Sequence, residues 1–136
     1  MEVERQMVVK KIMSPILEKI RGTTPIDEAA SVMKRLGVKE LAVIDHGQIT
    51  GILTEEDIVH KSTAKGIDPT KIPVGEIMTV GEITCLENQT PQEVAQIMTQ
   101  MNKRHLIVLN QNNQAVGIVS YDDISKYSDN PPDTEA

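Results

Sequence analysis

The sequence predicts an α/β protein built from two copies of one small unit, each mixing a short sheet with helices. Three observations carry that expectation. The 136-residue chain matches itself at a nearly constant offset. Each copy passes in the same order from helical to strand periodicity and back. The composition, 39% hydrophobic and 25% charged, is that of a folded globule.

At an offset of 65, Val9, Ile12 and Met13 meet Val74, Ile77 and Met78, Ala30 and Met33 meet Ala95 and Met98, and Leu41 and Val43 meet Leu106 and Val108. The offset then becomes 66, because HGQ stands against QNNQ, and Gly51, Ile52, Asp57 and Ile58 meet Gly117, Ile118, Asp123 and Ile124. One single-residue turn insertion accounts for the whole register. The expected organisation is an extension over 1–8, a first repeat over 9–64, a linker over 65–73, a second repeat over 74–127 and a tail over 128–136. Gly and Pro punctuate the linker. The polar, proline-containing tail is expected to be disordered.

Each copy opens with a lead-in segment, VKKIMSP or VGEIMTV, and an additional short strand. A helix follows. Ile26, Ala29, Ala30, Met33 and Leu36 recur at helical spacing, as do Val94, Ala95, Ile97, Met98 and Met101. Thr24 is expected to cap the first helix, with Pro25 in its first turn and Gly37 as its stop. ELAVID and ITGILT then read as a hairpin around DHGQ, and HLIVLN and AVGIVS as a second. A closing helix runs from Glu55 to about Ala64, and from Tyr121 to about Tyr127. Neither copy alone buries both helices and a three-stranded sheet well, so one joint globule is expected.

Composition narrows the function. Net charge is −6, which argues against phosphate-backbone binding as the main role. The only aromatic residues are Tyr121 and Tyr127, so no base-stacking platform is available and the core must be aliphatic. A single cysteine, Cys85, excludes an intramolecular disulfide and points to a reducing compartment. The longest apolar runs, Leu41 to Ile44 and Leu106 to Leu109, fall far short of the roughly 20 residues of a membrane span. No run of signal-peptide length opens the chain. A cytoplasmic protein is expected. His46 and His60 lack partners at metal spacing, so no metal site is expected. Cys85 reads as a buried, inert thiol. The methionines, among them Met33, Met98 and Met101, read as core.

The chemistry concentrates where each second strand meets its closing helix, in GILTEEDI from Gly51 and GIVSYDDI from Gly117. One reading is structural: Thr54 or Ser120 caps the helix, and Asp57 or Asp123 completes a capping box. The other is functional. A strand-to-helix corner offers backbone N–H groups to an anion, and the hydroxyl adds a donor. A carboxylate one turn on can accept two hydrogen bonds from a ribose diol. Glycine before the corner lets another group approach the backbone. Phosphate plus ribose points to a nucleotide. Ser120, His105 and Asp123 do not read as a hydrolytic triad, because the serine caps a helix and Thr54, its counterpart, has no histidine partner.

The ordered set, from Ala-x-x-Met through LAVID or LIVLN to G-I-x-T/S-x-x-D, resembles a pair of CBS domains, or Bateman module, over about Val9 to Tyr127. The chain departs from the family in having Ala42 and Ile107 where proline is often found. The resemblance implies two clefts between repeats related by pseudo-twofold symmetry, each able to hold an adenosine-type ligand. One would use Ser120 and Asp123 with Thr24, Ala29, Val38 and Lys39, and Arg104 and His105 on its phosphate side. The other would use Thr54 and Asp57 with Ile83 and Thr84. Gln89 and Val94 replace the counterparts of Thr24 and Ala29. Lys103, Arg104 and His105 put more positive charge near Asp123 than Val38, Lys39 and Glu40 put near Asp57. The Asp123 cleft is therefore expected to favour phosphorylated ligands.

The resemblance implies a regulatory sensor rather than an enzyme, with AMP, ADP or ATP as ligand and no required cofactor. S-adenosylmethionine and NAD also carry an adenosine. A homodimer formed through the helices and a separate regulated protein are implied as partners, without nucleic acid or membrane. The alternative is a structural interaction module with no small-molecule ligand.

Overall fold

The computed structural model describes residues 7–81 and 83–128. Outside them lie most of the expected N-terminal extension and the tail beyond Ser128. In chain order the elements are β1 (Ser14–Pro15), α1 (Ile26–Leu36), β2 (Glu40–Asp45), β3 (Gln48–Thr54), α2 (Glu55–Lys61), β4 (Thr84–Leu86), α3 (Pro91–Met101), β5 (His105–Leu109), β6 (Ala115–Ser120) and α4 (Tyr121–Ser128). The chain forms two compact units. One runs from Ile16 to Gly81. In the other, the described residues through Pro15 join those after Gly81. Each lead-in segment thus belongs to the unit built from the other repeat.

In the Ile16–Gly81 unit, β2 and β3 pair antiparallel, with Leu41 opposite Leu53 and Val43 opposite Gly51. His46 and Gly47 both have positive φ (53° and 76°), which suits a tight hairpin whose twist matches its strands. The apolar stripe of α1 (Ile26, Ala29, Val32 and Met33) packs on Leu41, Val43 and Leu53. Val74 and Ile77 of the second lead-in segment complete this core. Two single bridges extend the hairpin, Ile20 to Val43 in parallel and Ile52 to Thr79 antiparallel.

The other unit builds the same four positions as a full sheet in the order β1-β6-β5-β4. Cys85 pairs in parallel with Val108, and Ser14 antiparallel with Ile118, the counterparts of those two bridges. Three strands thus belong to the repeat and the fourth comes from the lead-in segment. Val9, Val94, Met98, Leu106, Val108, Val119 and Ile124 form its core. Both hairpins carry a bulge at the matching place, after Val43 and after Val108. The extra residue of the second repeat falls in its longer turn, where Asn113 has φ 60°.

Three expectations need correction. Thr24 does not cap α1. The cap position is Pro25, and the Thr24 hydroxyl instead accepts from the Arg21 N–H at 3.2 Å. Gln89 does the same in the second repeat, accepting from the Leu86 N–H at 2.8 Å, so these unlike residues hold the same turn. The true cap and first-turn proline are Thr90 and Pro91 on α3, in a capping box with Glu93. Second, α2 ends at Lys61, followed by a 3-10 turn over Thr63–Lys65. Third, Met101 is 43% exposed rather than core, at the last position of α3. In the linker over 65–73, Ile72 and Pro69 accept hydrogen bonds from the Ile26 and Asp27 N–H groups, and Ile72 packs on the core.

Candidate functional site

The two strand-to-helix corners are built alike in backbone and unlike in side chains. At the first, Thr54 Oγ1 accepts from the Asp57 N–H, and Asp57 Oδ2 accepts from the Thr54 N–H, each at 3.0 Å. The Glu55 N–H donates to the Lys39 carbonyl at 3.0 Å. Asp57 Oδ1 pairs with Lys61 Nζ at 3.0 Å, and the same ammonium donates to the Ile77 carbonyl at 3.1 Å. The Asp57 side chain is only 9% exposed. The capping box is complete, and both carboxylate oxygens are engaged.

At the second corner, Ser120 Oγ accepts from the Asp123 N–H at 3.1 Å, and the Tyr121 N–H donates to the Arg104 carbonyl at 2.7 Å. The Asp123 carboxylate is 46% exposed and stands 3.7 Å from Lys126 Nζ. It can accept two donors from a diol with little rearrangement. Arg104 bonds Asp122 at 3.0 Å and lies over the Tyr121 ring, 5.3 Å from its centroid. Its guanidinium thus sits beside this corner, engaged by Asp122.

These geometries revise the anion argument. The Thr54, Glu55 and Asp57 amides are taken internally, as are those of Tyr121 and Asp123. The corners do not present the row of free N–H donors that a phosphate cradle needs. Each hydroxyl keeps its own proton to donate. The glycines answer to side chains of their own units. The group that approaches Gly51 is the Met78 side chain, whose sulfur would lie 2.5 Å from a Cβ there, and Met13 does the same at Gly117. Glycine is required by packing within each unit.

The remaining predicted residues fall as follows. Ala29 is fully buried in the core, and Thr24 closes the turn before α1. Val38 and Lys39 line a groove of about 510 Å³ between α1 and α2, with Ala30, Met33, Glu55 and Ile58. Ile83 is buried, its carbonyl accepting from the Ile107 N–H at 2.6 Å, and Thr84 opens β4. His105 sits opposite Ser120 in the β5–β6 ladder. The structure therefore gathers Lys39, Thr54 and Asp57 at one corner, and Arg104, His105, Ser120 and Asp123 at the other.

Sequence reasoning missed Lys61. The signal was available, since Asp57 and Lys61 stand at the i, i+4 spacing that pairs opposite charges on a helix. Cys85 is buried, and burial pushes its thiol up to about 12, so it is no nucleophile near neutral pH. Among the described residues no cluster of His, Cys, Asp or Glu is arranged to hold a metal ion. No helix among them is long and apolar enough to cross a membrane.

Two α/β units, each carrying a hydroxyl-and-carboxylate corner, define a tandem-repeat module. The chain belongs to the CBS domain family, matching it at residues 9–63 and 74–130. It is 34% identical over 117 residues to the CBS domain-containing protein YhcV of Bacillus subtilis, covering 86% of this chain and 82% of that one. It is 32% identical over 120 residues to L-aspartate semialdehyde sulfurtransferase of Methanocaldococcus jannaschii, but spans only 23% of that protein. Among solved structures, the CBS domain pair of protein MJ0100, in complex with 5′-methylthioadenosine and S-adenosyl-L-methionine, is similar at a TM-score of 0.72 and 33% identity. That match covers 89% of this chain and 94% of that one. The hexameric CBS-CP12 protein of bloom-forming cyanobacteria is similar at a TM-score of 0.80 and 32% identity, covering 91% of this chain and 73% of that one.

Proposed function

We propose that this CBS pair is a ligand-sensing regulatory module that binds an adenosine-containing compound and acts on a separate protein, rather than an enzyme. The observation that carries the reading is the likeness to the MJ0100 pair, whose structure holds two adenosine-containing compounds. The open carboxylate of Asp123 supports it, placed beside the Ser120 hydroxyl and near Arg104.

In this reading Asp123 takes the ribose hydroxyls of one ligand, with Ser120 donating and Arg104 and His105 toward its phosphate or other anionic end. Thr24, Val38 and Lys39 contribute to the base side of that ligand, whereas Ala29, fully buried in its core, does not reach it. Asp57 and Thr54 serve a second ligand, with Ile83 and Thr84. AMP, ADP, ATP, S-adenosylmethionine and NAD all present the required ribose. Binding shifts a regulatory equilibrium only to the extent that the ligand prefers one conformation. The reading places the protein in the cytoplasm as a homodimer. The apolar groove between α1 and α2, with Val59 on its rim 48% exposed, supports the dimer.

One observation favours a second reading, an interaction module without ligand: the Asp57 carboxylate is already satisfied by its own unit. Calorimetric titration of the nucleotide-free chain with AMP, ATP and S-adenosylmethionine separates the two. Saturable micromolar binding supports the sensor. Absence of binding by all three supports the interaction module.

A further inference from the structure

We propose that Lys61 is a built-in competitor at the Asp57 corner, holding that carboxylate against a diol ligand and making the two corners unequal. The inference rests on the adenosine-sensor reading and goes beyond it by assigning a residue that sets affinity at one site. Lys61 Nζ is 3.0 Å from Asp57 Oδ1 and 3.1 Å from the Ile77 carbonyl. The other carboxylate oxygen accepts from the Thr54 N–H at 3.0 Å. A ribose that approaches Asp57 therefore competes with an ammonium already held by two oxygens, at a carboxylate that is 9% exposed.

Among the described residues the second corner shows no such arrangement. The residue matching Lys61 is Tyr127, which brings no cation. The nearby Lys126 is one position away, with its Nζ 3.7 Å from Asp123 and its side chain 71% exposed. A half-exposed lysine held at 3.0 Å on a buried carboxylate is a modest but real obstacle, whereas a more solvated one at 3.7 Å from a half-exposed carboxylate is a smaller one.

The test is calorimetric titration with adenosine, which has no phosphate for a displaced lysine to grasp. The Asp123→Ala background isolates the Asp57 site. Adding Lys61→Met is expected to tighten adenosine binding about two- to fivefold, the range of a partly screened ion pair. Lys61→Gln is expected to act in the same direction while keeping a donor for the Ile77 carbonyl, and it serves if the methionine variant fails to fold. Lys61→Arg is expected to stay within about twofold of the background. Unchanged or weaker adenosine binding in both neutral variants would overturn the inference. So would absence of adenosine binding in every Asp123→Ala variant while the unsubstituted chain still binds, since Asp57 would then be purely structural. Failure of the unsubstituted chain to bind adenosine, AMP or S-adenosylmethionine would instead overturn the sensor reading, and this inference with it.

Discussion

The Met78 side chain lies against the α-carbon of Gly51, so close that a methyl group at that carbon would come 2.5 Å from the sulfur and 2.8 Å from the γ-carbon. Met13 and Gly117 repeat the relationship in the other unit. Each contact locks a lead-in segment onto a hairpin, alongside the Ile52–Thr79 bridge or the β1–β6 pairing. Gly51→Ala and Gly117→Ala are each expected to destabilise the protein by about 1–3 kcal/mol through overpacking. Urea denaturation measures the loss. Adding Met78→Ala to Gly51→Ala is expected to cost less than the sum of the two single changes, because the clash with the thioether disappears and only the tight approach of the Thr79 carbonyl, at 3.0 Å, remains.

The two corner aspartates are expected to fail differently. Asp57→Ala removes a complete capping box and a largely buried ion pair, and is expected to lower stability by about 1–3 kcal/mol. Asp123→Ala removes a half-exposed carboxylate paired loosely at 3.7 Å, and is expected to change stability by less than about 0.5 kcal/mol. Denaturant midpoints of the two variants, compared side by side, decide the point.

Cys85 is expected to resist iodoacetamide at pH 8 in the folded protein. Its thiol is buried on β4 and held near 12 by desolvation, so almost no thiolate is present. Mass spectrometry in rising urea should show alkylation only as the unit unfolds. Rapid labelling without denaturant would contradict the packing described for β4.

Asp45 gives the fold a pH dependence. Its carboxylate accepts from the Thr50 hydroxyl at 2.7 Å and the Gly22 N–H at 3.0 Å, and these hydrogen bonds hold it below the ordinary 3.8. A carboxyl group depressed in the folded state contributes stability above its unfolded value and loses it as pH falls through the folded value. Stability is therefore expected to decline as pH drops below the ordinary carboxylate range. Asp45→Asn should make that acid limb shallower in denaturation curves taken at successive pH values.

Much of the architecture was legible because it is local and duplicated. The helical stripes, the hairpins and the hydroxyl-acid corners each rest on spacings a few residues long. The single insertion was placed correctly in the second hairpin turn. The assignment of lead-in segments to units was not legible. VKKIMSP and VGEIMTV carry the same apolar pattern, so either fits either core, and only the three-dimensional path of the chain selects between them. The Thr-Pro dipeptides misled for a related reason. The helices are offset by 65 and the dipeptides by 66, so Thr90-Pro91 caps its helix while Thr24-Pro25 ends one residue short. Lys61 escaped because charge patterning was weighed at the corner and not one turn beyond it. The glycines misled because spacing shows that a close approach is needed and not which group makes it.

The central claim is that Asp123 holds the ribose of an adenosine-containing ligand. Its most direct test is calorimetric titration of AMP into the nucleotide-free chain and into Asp123→Ala, with equal folding checked by circular dichroism. Loss of a charge-assisted hydrogen bond worth about 1.5–3 kcal/mol predicts at least a roughly tenfold to hundredfold weaker affinity at one site of the variant. Equal affinity in both proteins would contradict the account and leave Asp123 as no more than the acid at the start of a helix.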